Sequence, residues 1–350
     1  MANVVLSNGI TYQGAGYATL DGYIVETIDR NDLTENHKQY ASKLVYTDTT
    51  LLNADQKFST KIAGKALGDV SETGLKERRS LTFGSKKGVY QKEIGGEFAM
   101  SYLFSQWAKQ AKNLQGASDS IQAEMADVMS QVKDLVFGYD VRYAEELVKV
   151  LANGFSITAT EGPGSATPTG LELFSASHTT GSNLVTGPSY TSVTVGATQL
   201  QSAIDKLKAM KDENGKKIVA PREPLVLYCS RSREVFWRQV INNESQFSAL
   251  GTNAAVENVF RFRGNIVKIE VVDLLGDLDA AGNTIGGDDY WFVANPTYLR
   301  FAKALRTYRL YEPRIKTYEN EPTDEIMTAI RAVVGADHYN AQLGIIGAQS

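Results

Sequence analysis

The chain has 350 residues, of which 43% are hydrophobic and 22% charged, with a formal net charge of −4. That length carries one large or two ordinary domains with real cores, and the composition excludes a disordered chain and a generally polybasic nucleic-acid binder. No run approaches about 18 uninterrupted apolar residues, the start MANVVLSNGITYQGAG lacks the regions of a secretory signal, and a single cysteine, Cys229, excludes an internal disulfide and a cysteine-based zinc site.

Residues 1 to about 50 are polar and show no helical period, which predicts an extended arm with little core of its own. Residues 57–92, KFSTKIAGKALGDVSETGLKERRSLTFGSKKGVYQK, carry nine Lys or Arg against three Asp or Glu. Gly64, Gly68, Gly74, Gly84 and Gly88 interrupt any helix there. The β-prone pieces RSLTF and GVYQK flank the turn GSKK, so a long, basic, projecting hairpin is predicted. Its candidate contact residues are Lys76, Arg78, Arg79, Lys86, Lys87 and Lys92.

From Ser118, the stretch SDSIQAEMADVMSQVKDLVFGYDVRYAEELVKVLANG places Ile121, Met125, Val128, Val132, Leu135, Tyr139, Tyr143, Leu147 and Val150 at steps of three and four. This predicts one helix of roughly 50 Å, about threefold longer than the usual ~11 residues, ending at Asn153–Gly154. The heptad is not sustained, which favours a strut over a coiled coil. Gly138 is a position where it could bend.

Residues 155–196 read as loop. ATQLQSAIDKLKAMKDENGKK reads as a helix with Leu200, Ile204, Leu207 and Met210 on one face, stopped at Gly215. PLVLYCS reads as a buried strand and SREVFWRQVINN as a helix. NIVKIEVVDLL and DYWFVAN read as strands, PTYLRFAKALRTYRLYEP as strand-rich, and IMTAIRAVVGADHYNAQLGIIG as apolar and β-prone. The order is arm, basic hairpin, long helix, then an α+β mixture.

That order, with ERRSLTFGSKKGVYQKEIGGEFAMSYLF, the helix from Ser118, LFSASHTTGSNL, LKAMKDENGKKIVAPREPLVLYCS, and IEVVDLL followed by DYWFVANP, resembles the major capsid protein of tailed bacteriophages. LFSASHTTGSNL and LKAMKDENGKKIVAPREPLVLYCS are similar to the Mu-like major head subunit, and the resemblance as a whole covers roughly residues 20–345. The resemblance implies an HK97-like capsid fold of α+β class: an N-terminal arm over 1–50, an extended loop over 51–98, a peripheral domain with its spine helix over 99–195 and 315–350, and an axial domain over 196–314. It implies a non-enzymatic protein that self-assembles into the icosahedral head shell of a tailed phage. Its partners would be its own copies as pentamers and hexamers, separate scaffolding, portal and decoration proteins, and non-specifically packaged double-stranded DNA. It implies no cofactor, no membrane, synthesis in the host cytoplasm and a place in the virion. Some relatives carry a fused N-terminal scaffold; this sequence goes from Met1 directly into the arm, so scaffolding is expected to be separate or unneeded. An encapsulin-type compartment shares the fold and is the alternative shell.

Isolated motifs point to weaker chemistry. His178, among the serines of LFSASHTTGSNL, suggests a hydrolase base, but no GxSxG elbow occurs and Ser175 and Ser177 are too local for a triad. His37 and His338 lie far away without metal-ligand spacing, so His178 is read as a loop residue. DLDAAGNTIGGD puts Asp277, Asp279, Gly282 and Asp288 at calcium-loop positions, yet Ala281 fills a ligand position and the twelfth residue is not Glu, so a hairpin tip is expected. GPGSATPTG and GNTIGG match no phosphate-binding fingerprint. The basic hairpin lacks interleaved aromatics beyond Phe83 and Tyr90. Acidic surface on a neighbouring copy is therefore its expected partner, with DNA second.

Overall fold

The computed structural model describes residues 3–6, 10–29, 44, 46–50, 57–61, 83–88, 92–110, 118–156, 171–178, 181–187, 189–211, 217, 224–242, 245–247, 255–257, 267–338 and 343–349. The first sheet runs in the order β1 (Asn3–Val5), β2 (Thr11–Gln13), β13 (Leu305–Asn320), β14 (Glu325–His338), β6 (Lys92–Ala99), and β3 (Thr47–Thr50) also pairs with β13. The second runs β11 (Val267–Val271), β8 (Leu225–Cys229), β12 (Trp291–Ala294), β15 (Ile345–Gln349), β7 (Leu184–Thr186). Two small sheets stand apart: β4 (Lys57–Lys61) with β5 (Phe83–Gly88), and β9 (Ser245–Phe247) with β10 (Ala255–Glu257). The described helices are α1 (Ala18–Asp29), α2 (Tyr102–Gln110), α3 (Asp119–Ala152), α4 (Val193–Ala209), α5 (Glu234–Asn242) and α6 (Pro296–Ala302). The α+β class read from the sequence stands.

The predicted long helix is α3, 34 residues without a break at Gly138. Over its first two thirds one stripe is buried: Ile121, Met125, Val128, Val132, Val136 and Tyr139. Val136 takes the fully buried place expected of Leu135, because the true period of 3.6 advances one residue past a strict three-four count. The stripe packs on β6 and β14 through Ile94, Ile330, Ala332 and Val334. Past Ala144 the helix is buried almost all round, enclosed with Phe174, Phe292 and Ile345 in the core that joins it to the second sheet. The helix therefore spans both sheets. Gly154 ends it for a reason other than a left-handed turn: a Cβ there would lie 2.8 Å from the Phe174 ring. Phe174 makes the same demand on β15, where a Cβ at Gly347 would lie 2.5 Å from the ring.

Several expectations are corrected. The arm is not coreless over its described part: Leu20, Ile24 and Ile28 recur every four residues on α1, are fully buried, and join the α3 cluster. Each such burial contributes about 1.5–3 kcal/mol. β2 pairs in parallel with β13, so the N-terminal stretch folds onto its own chain. GSKK is not a turn; it lies within β5, whose partner is β4, with Phe58 opposite Lys87 and Ser59 opposite Lys86. GVYQK gives way to β6, which pairs with β14, so residues 92–98 of the expected loop belong to the first sheet. β15 joins β12 in the second sheet. PTYLRFA is a helix because Asn295 accepts the N–H of Tyr298 at 3.1 Å and Pro296 opens the first turn. α4 begins four residues earlier than its apolar pattern because Ser192 caps it through the N–H of Val195.

Candidate assembly surfaces

His178 sits in a stitched turn. Its Nε2 lies 3.1 Å from the carbonyl oxygen of Leu173, and its own carbonyl accepts from Gly181 N at 3.1 Å. The neighbouring serines serve the turn: Ser175 Oγ accepts from Ser177 N at 3.3 Å. The organiser is Asn183, fully buried, whose Oδ1 accepts from Ser175 N at 2.8 Å and whose Nδ2 donates to Leu173 O at 2.6 Å. Asn183 O in turn accepts from Gly347 N at 3.0 Å, which ties the turn to β15. Sequence reasoning passed over Asn183; the signal it left was the Asn–Leu pair at the end of LFSASHTTGSNL. His338 lies far off, buried at the end of β14 opposite Leu305. His37 lies outside the described residues, as do the glycines of GPGSATPTG and Gly215.

The 277–288 loop is the expected hairpin tip, and its carboxylates point apart. Asp279 Oδ1 accepts the N–H groups of Ala281 and Asn283, both at 2.9 Å, while Oδ2 accepts from Lys149 Nζ at 2.8 Å. The ammonium thus stands where a cation ligand set would need its ion. The Lys149 bond first, then the Asn283 amide, hold the Asp279 carboxyl well below the usual carboxylate range. Asp288 turns the other way, towards Ser232 and Arg233 at the start of α5. Gly282, at φ +82°, makes the tip. Cys229 is buried in β8, and burial pushes its thiol up to about 12, so it stays protonated and unreactive.

Of the six hairpin charges, Lys76, Arg78 and Arg79 lie outside the described residues. Lys86 and Lys87 are on β5, and Lys92 begins β6 opposite Val334. The set is therefore split between the separate hairpin and the first sheet. Among the described strands, β4 and β5 pair only with each other.

The surface of α3 opposite its buried stripe carries Asp119, Asp127 and Asp134, separated by small residues such as Ala123 and Ser130, with Lys133 as its one base. No ion pair joins these three carboxylates to another described residue. Beneath its middle, where β6 forms the sheet edge, a groove of about 180 Å³ opens between helix and strand. Large apolar side chains stand out elsewhere: Leu103 on α2, Phe137 on α3 and, at 88% exposure, Phe301 on α6. Among the described residues no helix is long and apolar enough to cross a membrane.

No family model matches the sequence, and no curated protein matches it. Solved structures do. A chain of Mycobacterium phage Patience aligns with TM-score 0.48 and 11% identity, covering 99% of this chain and 90% of that one. The head structure of Helicobacter pylori bacteriophage KHP40 aligns with TM-score 0.48 and 9% identity, over 86% of each chain. A virus-like particle from Pyrococcus furiosus aligns with TM-score 0.43 and 9% identity, over 91% of this chain and 96% of that one. Identities this low give no residue-by-residue correspondence, so residue roles rest on the geometry of this chain.

Proposed function

We propose that the protein is a major capsid protein, self-assembling into the icosahedral shell that encloses the genome of a tailed phage. The observation that carries the reading is the pairing of a 34-residue helix spanning two sheets with a basic segment between β3 and β6 whose described strands, β4 and β5, pair only with each other. A strut that long ties the two sheets together along one stiff axis. A nine-cation segment whose described strands join neither large sheet is suited to reach a second copy. The sequence resemblance gives the same order of parts. Heterologous contacts of this kind close into rings and shells when their rotation closes.

In this reading Lys76, Arg78, Arg79, Lys86 and Lys87 clamp an adjacent subunit, and Lys92 anchors the segment at its return to the first sheet. Each exposed ion pair contributes about 0–1 kcal/mol and is screened by salt, but a shell repeats the contact in every copy. Sedimentation velocity of the purified chain tests the function: assembly gives fast particles, whereas a chain that stays monomeric at every concentration refutes it. Nucleic acid inside particles from infected cells favours the phage head, and enclosed protein cargo favours an encapsulin-type compartment.

A further inference from the structure

Resting on the shell reading, we infer that Phe301 is an assembly knob that seats in the apolar groove between α1 and the β1–β2 pair of a second copy of this chain. Phe301 is 88% exposed, the most open of the large apolar side chains among the described residues. It is also held in a fixed pose. Leu299 beside it is buried, and the helix stops at once because Lys303 takes the left-handed conformation at φ 50°. Lys303 N donates to Arg300 O at 3.2 Å, Ala304 N to Leu299 O at 2.9 Å, and Arg306 Nε to Lys303 O at 2.8 Å. An aromatic ring carried on a backbone locked this way gives up little freedom on docking, which is what an interface anchor requires.

The groove holds about 290 Å³ and is lined by Val4, Tyr12, Gly14, Gly16, Gly22 and Val25. Asp21 lies at its side, accepting from Tyr12 Oη at 2.7 Å and from Gly16 N at 2.9 Å. Gly22 is the telling position. Glycine is disfavoured inside a helix, yet a Cβ there would meet nothing within 4 Å, so packing within the chain does not call for it. Close approach of another surface does. Charge agrees with shape: residues 18–29 carry Asp21, Glu26 and Asp29 and no Lys or Arg, while residues 296–306 carry Arg300, Lys303 and Arg306 and no Asp or Glu. The knob cannot reach the groove of its own chain. β2 meets β13 at Ile315, ten residues beyond Leu305, so about 30 Å of strand lies between them. The contact therefore joins different patches on two copies, the kind that builds rings and shells.

Two full-length variants and one cross-link test it. Phe301→Ala removes an exposed ring, so its circular dichroism should match wild type while particle yield falls about tenfold. Gly22→Leu improves the helix and fills the groove, so it should fold at least as well as wild type and lose particles alike. For the cross-link, chains carrying Arg300→Cys are co-assembled with chains carrying Glu26→Cys and treated with a short bis-maleimide; the native Cys229 is buried and does not react. Each chain holds one reactive thiol, so every link joins two copies, and the main product should be the mixed dimer. If both variants assemble as wild type does, or particles form without the mixed link, the knob-and-groove contact is wrong while the shell stands. A wild-type chain that forms no particles overturns both.

Discussion

Asp279→Asn isolates one interaction cleanly. The asparagine Oδ1 can still accept the N–H groups of Ala281 and Asn283, so the loop keeps its turn. What it loses is the charge facing Lys149, whose ammonium is held at 2.8 Å with its side chain 16% exposed and that of Asp279 7% exposed. Glu146, 3.6 Å from the same ammonium, cannot replace the hydrogen bond at that distance. A charge-assisted hydrogen bond in such a place contributes about 1.5–3 kcal/mol, reduced towards about 1–2 by solvent at the loop surface. The pair joins α3 to the loop between β11 and β12, so the loss should fall on the union of the two sheets. The pH dependence has a fixed sign. The folded carboxyl titrates below its unfolded value of about 3.9, so its contribution is complete above that pH and is lost as pH falls towards the folded value. Urea unfolding at pH 7, 5 and 3 should therefore show wild type ahead of Asp279→Asn by about 1–2 kcal/mol at pH 7 and 5, with the lead roughly halved at pH 3. Equal stability at pH 7, or a lead that grows on acidification, would refute the argument.

Val132→Asp buries a carboxylate in a fully buried stripe, at a cost of several kcal/mol, and should abolish soluble folded protein in expression trials. His178→Ala removes one contact to Leu173 O, so it should lower the urea midpoint by no more than about 1 kcal/mol and leave particle yield unchanged. Gly347→Ala forces a methyl against the Phe174 ring and should cost about 1–3 kcal/mol by the same unfolding assay, whereas Gly138→Ala, facing open space on a helix, should stabilise by about 1 kcal/mol.

The long helix was legible because 34 residues of three-four periodicity leave no competing pattern. α1 was missed because its buried set is short, Leu20, Ile24 and Ile28, and is interrupted by Gly22 and by threonines. α6 was missed because YLRFAK runs into the long strand β13, and only the Asn–Pro cap separates them. GSKK looks like a turn from its composition, yet pairing with β4 from more than twenty residues upstream overrides local preference. The parts of the candidate site that single-sequence reasoning found were the charges. Lys149 and Asp279 are 130 residues apart, and nothing local marks them as partners. Asn183 likewise acts through Gly347, far along the chain, which sequence spacing does not encode.

Negative-stain electron microscopy of the purified full-length chain tests assembly most directly. The account predicts closed, hollow shells of uniform diameter that dissociate or fail to form when Arg78 and Arg79 are both changed to Glu. Fields of small discrete particles, with no shells at any protein or salt concentration, would contradict it.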